Sequence, residues 1–193
     1  MFRKVGISAI LGMIVLIVWG FVINGIFGFN SRINMKQISD ERKVYETIKE
    51  SIVEPGSYIV NPELTPSEVF PDGEPVFSLH YSGMGHESAG KVMFFQFAIF
   101  LLSPMIATWM LSLTTPRILS SYPRKVLFFV AIGLLFAVFG DLVNFGIDQY
   151  SLQDSLLIAA NNILAWTLVG LVVAKYFRLG PSLVTDSRDG ENI

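Results

Sequence analysis

The stretch VLFFVAIGLLFAVFGDLVNFGI, Val126 to Ile147, decides what kind of protein this is. Of its 22 residues only Asp141 is charged, and about 20 mainly apolar residues in a helix suffice to cross a hydrocarbon core of about 30 Å. Three more runs have the same character: Val5 to Gly28, Val92 to Leu113 and Ser155 to Phe177. With 52% hydrophobic and 16% charged residues and a mean hydropathy of +0.54, the chain of 193 residues is too apolar for an ordinary soluble domain. The expected fold is an all-α integral membrane protein with four transmembrane helices.

Arg3 and Lys4 precede the first run, as they would in a signal peptide. The run is longer than a signal peptide's apolar region, however, and Phe27-Gly28-Phe29-Asn30 offers no small-x-small cleavage site. A retained anchor is expected. Basic residues fix the orientation: Arg3 and Lys4, then Arg117, Arg124 and Lys125, then Lys175 and Arg178 all fall on one side of four spans, whereas the short loop from Asp148 to Asp154 has two acids and no base. Positive charge in short loops marks the cytoplasmic side, so both termini are expected in the cytoplasm. The chain then divides into an N-terminal tail and first span (1–28), an extracytoplasmic segment (29–91), a bundle of spans two to four (92–177) and a cytoplasmic tail (178–193). The outer segment carries ten acids against six bases, too long a loop for its charge to set topology.

That segment is read as a small α+β cap between the first two helices, resting on the outer ends of the spans. Ser39 can cap a helix in which Val44, Ile48 and Ile52 form an apolar stripe among Glu41, Arg42, Glu46, Lys49 and Glu50, ended by Glu54-Pro55-Gly56. The stripe would pack within the cap. Prolines 55, 62, 66, 71 and 75 punctuate the stretch from Pro55 to Pro75, leaving short strands at Ser57 to Val60 and Val76 to Tyr81.

Three short motifs carry a resemblance: Trp19-Gly20-Phe21, Glu54-Pro55-Gly56-Ser57-Tyr58 with Pro62, and Gly73-Glu74-Pro75-Val76. Together with the four-span layout they resemble a family of small bacterial inner-membrane proteins of unassigned function. The resemblance implies a bacterial inner-membrane protein with a compact outer cap. In such proteins the end of the third span is rich in tryptophan; here it reads Gly140-Asp141-Leu142-Val143-Asn144-Phe145-Gly146, so no shared site is carried over.

Composition excludes several chemistries. A formal charge of -2 with scattered Lys and Arg gives no footprint for nucleic acid, and the absence of cysteine removes disulfides and thiolate chemistry. Neither a nucleophile elbow, a phosphate-binding glycine loop nor a zincin helix occurs. His80, His86 and Glu87 are the residues from which a metal centre could be built, but a flexible stretch, Tyr81 to Gly85, separates the histidines and matches no known ligand spacing. No metal and no cofactor are expected.

The sharpest chemical signal is Asp141, the one acidic residue in the four runs. An aspartate at mid-membrane costs roughly 2.5–3.5 kcal/mol on insertion scales, which points to a functional group facing a bundle interior. Gly133, Ala137, Asp141, Asn144 and Asp148 share one helical face; Ser155, Ala159 and Asn162 share another, with Asn161 beside it; Gln96, Ser103 and Ala107 and then Gly20, Asn24 and Gly28 do the same on the second and first helices. Asp141, Asn144, Asn161, Asn162, Gln96 and Asn24 therefore form a candidate polar intramembrane cluster. The competing reading is that amides tie helices together, at about 0.6 kcal/mol each on average. Pro104 removes a backbone donor opposite Phe100 and is expected to kink the second helix. Trp19, Trp109 and Trp166 read as packing or interface aromatics, and Tyr122, Tyr150 and Tyr176 as an interfacial belt.

The expected function is that of a non-catalytic accessory or interaction protein of the cytoplasmic membrane, whose partners are the lipid bilayer and another membrane protein or further copies of the chain. A small transport or ligand-sensing protein centred on Asp141 is the alternative, and a metal-dependent enzyme of the cap is the third reading.

Overall fold

The computed structural model describes residues 2–33, 37–83, 89–146 and 151–177. In chain order the elements are α1 (Phe2–Phe21), a π-helical turn (Val22–Ile26), α2 (Phe29–Ile33), α3 (Glu41–Ser51), β1 (Gly56–Val60), β2 (Phe77–Tyr81), α4 (Ala89–Ser112), α5 (Pro116–Leu119), α6 (Tyr122–Phe136), a second π-helical turn (Ala137–Asp141), α7 (Leu142–Gly146) and α8 (Leu152–Tyr176). Among the described residues four helical stretches are long and apolar enough to cross a membrane: Phe2–Ile26, Met93–Ser112, Tyr122–Asp141 and Leu152–Tyr176. The third and fourth start three to four residues earlier than apolarity alone implies. Pro123 lies in the first turn of α6, where its fixed φ suits a helix start, and Ser151 caps α8 by accepting a bond from the Asp154 N–H at 3.0 Å.

The chain divides into two compact units, Met1–Asn30 with Phe94–Ile193, and Ser31–Met93. In the first unit α8 is the central helix, packed along both α6 and α1. Close approach depends on small residues. A Cβ added to Gly133 would lie 3.1 Å from the Ile163 Cα, and one added to Gly170 only 2.7 Å from the Phe129 Cβ, so α6 and α8 meet backbone to backbone at the first level and backbone to side chain at the second. Trp166 fills the seam between these points, stacked at 6.4 Å on Phe129 and 5.9 Å on Phe136. Phe129, Leu111, Val169 and Val173 are fully buried and anchor the core. On the other side Gly12 meets Val169 of α8 and the ring of Pro104 of α4, whose Cβ would stand 2.5 Å from a Cβ at position 12. Pro104 therefore sits inside an unbroken helix as a wedge between α4 and α1. The Ser103 hydroxyl bonds the Ile99 carbonyl at 2.8 Å one turn earlier.

Burial is uneven along the bundle. On α1 the buried residues are Val5, Ser8, Ala9 and Gly12, and on α4 they are Pro104, Ala107, Thr108 and Leu111, all toward the end that carries Phe2, Ser112 and Tyr176. Toward the far end, Phe21, Phe94 and Phe139 are more than two-thirds exposed. An apolar surface of this extent is what lipid or another apolar partner covers.

The second unit holds α3 and the antiparallel hairpin β1–β2, registered Gly56 with Tyr81 through Val60 with Phe77. The cap of α3 is Asp40, whose carboxylate accepts from the Lys43 N–H at 3.4 Å, rather than the adjacent Ser39. The helix ends at Ser51, with Ile52 already extended. Val44, Ile48 and Ile52 are half-buried, and no residue of α3 or of the two strands is buried. The stripe is thus less sealed than its periodicity implies, because neither strand is packed closely along it. Strand alternation places Tyr58, Val60, Phe77, Leu79 and Tyr81 on one apolar face.

Candidate functional site around Asp141

Asp141 closes the second π-helical turn, half-buried against α8. The Asn162 side-chain N–H donates to its Oδ2 at 2.8 Å. Asn161, next in sequence, serves a different neighbour: its Oδ1 accepts from the Trp19 indole N–H of α1 at 2.9 Å. Consecutive residues on a helix point about 100° apart, so two adjacent amides on the central helix reach two flanking helices. A hydrogen bond from a neutral amide to a carboxylate is charge-assisted when the acid is ionised and ordinary when it is protonated. In either state it fixes the end of the third long helix against the fourth.

The π-helical turn explains how Asp141 arrives there. Its wider winding accommodates one extra residue and turns the helix face away from the strict 3.6-residue register. Gly133 and Ala137 are buried on the α8 side, and Asp141 follows them only at the margin of that face. On α8 itself, Ser155 and Ala159 are buried on the same face as Asn162, and the Ser155 hydroxyl has no hydrogen-bond partner among the described residues.

The other members of the candidate cluster lie elsewhere. Asn24 belongs to the π-helical turn that ends the first long helix; its amide donates to the Gly20 carbonyl at 3.0 Å and its Oδ1 accepts from the Asn30 N–H at 3.2 Å. It finishes a helix end rather than joining a site. Gln96 is exposed on α4. The side chain of Asn144, together with Asp148 and Tyr150, lies outside the described residues. The structure thus brings Asp141 to Asn162 and leaves Asn24 and Gln96 apart, since amides that share a helix face in sequence still need a facing helix within reach.

Of the residues read as potential metal ligands, His80 Nδ1 pairs with the Ser57 hydroxyl across the hairpin at 2.9 Å. His86 and Glu87 lie outside the described residues. Among the described residues no three His, Cys, Asp or Glu side chains come together to hold a metal.

Two contributors escape a sequence reading. Trp19 reads as a packing or interface aromatic but also donates across helices; the available signal is that a buried indole N–H requires an acceptor. Lys125 looks like a topology charge but is 4% exposed, and its Nζ donates to the Phe177 carbonyl at 2.6 Å at the end of α8. A cation there satisfies an unpaired terminal carbonyl and complements the helix dipole.

Comparison with protein-family models, with curated proteins and with solved structures finds no match.

Proposed function

We propose that this chain is a four-span integral membrane protein of the cytoplasmic membrane, with both termini in the cytoplasm and residues 29–91 outside, and that it acts without catalysis as an accessory or interaction protein. The observation that carries the reading is the bond between Asn162 and Asp141: the one acidic side chain of the apolar runs accepts a hydrogen bond from a neighbouring helix. Asn161 does the same with Trp19. Polar groups used in this way hold a bundle together, and the bundle then offers its surroundings a largely apolar outer surface. Surfaces of that kind associate with lipid and with other spanning helices.

The reading is tested by chemical crosslinking of the full chain in native membranes, followed by purification and identification of what is attached. A defined membrane-protein partner, or a homo-oligomer, recovered in constant ratio is the expected result. Recovery of the monomer alone, with a ligand or ion flux that depends on Asp141, supports the alternative of a small transport or sensing protein. That second reading draws on the half-buried position of the carboxylate, because a neutral amide could tie Asn162 without bringing an acid into the span.

A further inference from the structure

Between the far halves of α1 and α4 lies an open groove of about 480 Å³, lined by Ile17, Gly20, Phe21, Asn24, Gly25, Phe97 and Phe100. We infer that this groove holds one hydrocarbon chain of a bilayer phospholipid, an inference that rests on the four helices crossing a membrane.

Three features select that occupant. The first is polarity: the lining is mainly apolar, and its one amide side chain, Asn24, is engaged with the Gly20 carbonyl and the Asn30 N–H. The second is depth. From Ile17 to Phe21 the helix climbs about 6 Å at 1.5 Å per residue, and the π-helical turn carries the groove on only to Gly25, within half of a hydrocarbon core of about 30 Å. Below that level the helices close, with the Pro104 ring against Gly12. A spanning helix of a partner protein would need a track through both leaflets, whereas an acyl chain needs one. The third is the floor. Gly12, Gly133 and Gly170 are each met by a neighbour, but a Cβ built on Gly20 or Gly25 would find no atom within 4 Å. These glycines hollow out space that the chain itself leaves open, and a cavity of this volume is within the range of small-molecule sites.

The test uses the full chain in nanodiscs containing a phospholipid with a diazirine midway along one acyl chain. After illumination, adducts are located by peptide mass spectrometry. Labelling of Phe97 and Phe100 is expected to exceed that of Leu135 and Phe139, which are more exposed than Phe97, by about tenfold, the ratio that roughly 1.4 kcal/mol of preference gives. Gly20→Leu, which places a side chain in the groove, removes the excess, and Gly25→Leu does the same should the first variant fail to fold. Labelling of Phe97 and Phe100 no greater than that of Leu135 and Phe139, or unchanged in a folded Gly20→Leu protein, overturns the inference. So does a crosslinked partner peptide in the groove. Resistance to alkaline extraction is scored in parallel; a chain that is extracted refutes membrane insertion itself, a failure distinct from that of the groove.

Discussion

Gly170→Ala is the sharpest test of the α6–α8 seam, provided it is read against Gly6→Ala. Both changes add one Cβ within a helix, and both gain about 1 kcal/mol of helix propensity. At Gly6 the new atom meets nothing within 4 Å, whereas at Gly170 it stands 2.7 Å from the Phe129 Cβ and 3.3 Å from its Cγ. Carbon atoms rest at about 3.5–4.0 Å, so the helices must part by about 1 Å or Phe129 must leave its stack on Trp166. Phe129 is 0% exposed and has nowhere to swing. Overpacking of this kind costs typically 1–3 kcal/mol, and the propensity gain cancels in the comparison. Gly170→Ala should therefore be less stable than Gly6→Ala by about 1–3 kcal/mol in reversible unfolding in mixed micelles, followed by tryptophan fluorescence. Equal stabilisation of the two variants would show that the seam is not packed as described.

Two more outcomes rest on the same geometry. Trp19→Phe keeps the ring but removes the indole donor to Asn161, and should lower bundle stability by about 0.6–1.7 kcal/mol, the range of interhelical bonds in a membrane; no change on unfolding would mean that this bond is not formed. Ile48→Ala should cost about 1 kcal/mol, well under the 2–5 of a sealed core, because the side chain is half-buried, and amide exchange over Glu41–Ser51 should quicken only modestly. A loss of all protection there would mean that the stripe is buried by something this chain does not supply.

The parts of this fold that were legible in the sequence are those set by composition and simple periods. Runs of apolar residues gave four long helices, and the two short strands left between prolines, Ser57 to Val60 and Val76 to Tyr81, pair as a hairpin. Local terminators shifted the boundaries: Pro123 and Ser151 start α6 and α8 early, and of two adjacent cap-competent residues it is Asp40, not Ser39, that bonds the first turn of α3. The site was legible only in part. Asp141 and Asn162 meet because the short connection makes their helices antiparallel neighbours. Shared helix faces group Asn24 and Gln96 with them in the sequence, but a shared face fixes neither the π-helical turns nor which helices touch. Tyr122 bonds the Leu171 carbonyl at 3.1 Å across the seam, a partner that an interfacial position alone does not specify. Those partners depend on the packing of α8, and nothing local to either residue encodes it.

A double-mutant cycle on Asp141 and Asn162 tests the central claim most directly: that the one acidic residue of the apolar runs ties the third long helix to the fourth. Asp141→Leu, Asn162→Leu and the double variant are unfolded reversibly in mixed micelles beside the unaltered chain, together with Asp141→Asn. The account predicts a coupling of about 0.6–1.7 kcal/mol between the two positions. It also predicts that Asp141→Asn stays within about 0.5 kcal/mol of the parent, since an amide accepts the same bond. A coupling of zero, or an Asp141→Asn protein more stable by about 2 kcal/mol or more, would contradict it. The carboxylate would then be held in the bundle against stability, and its purpose would be chemical.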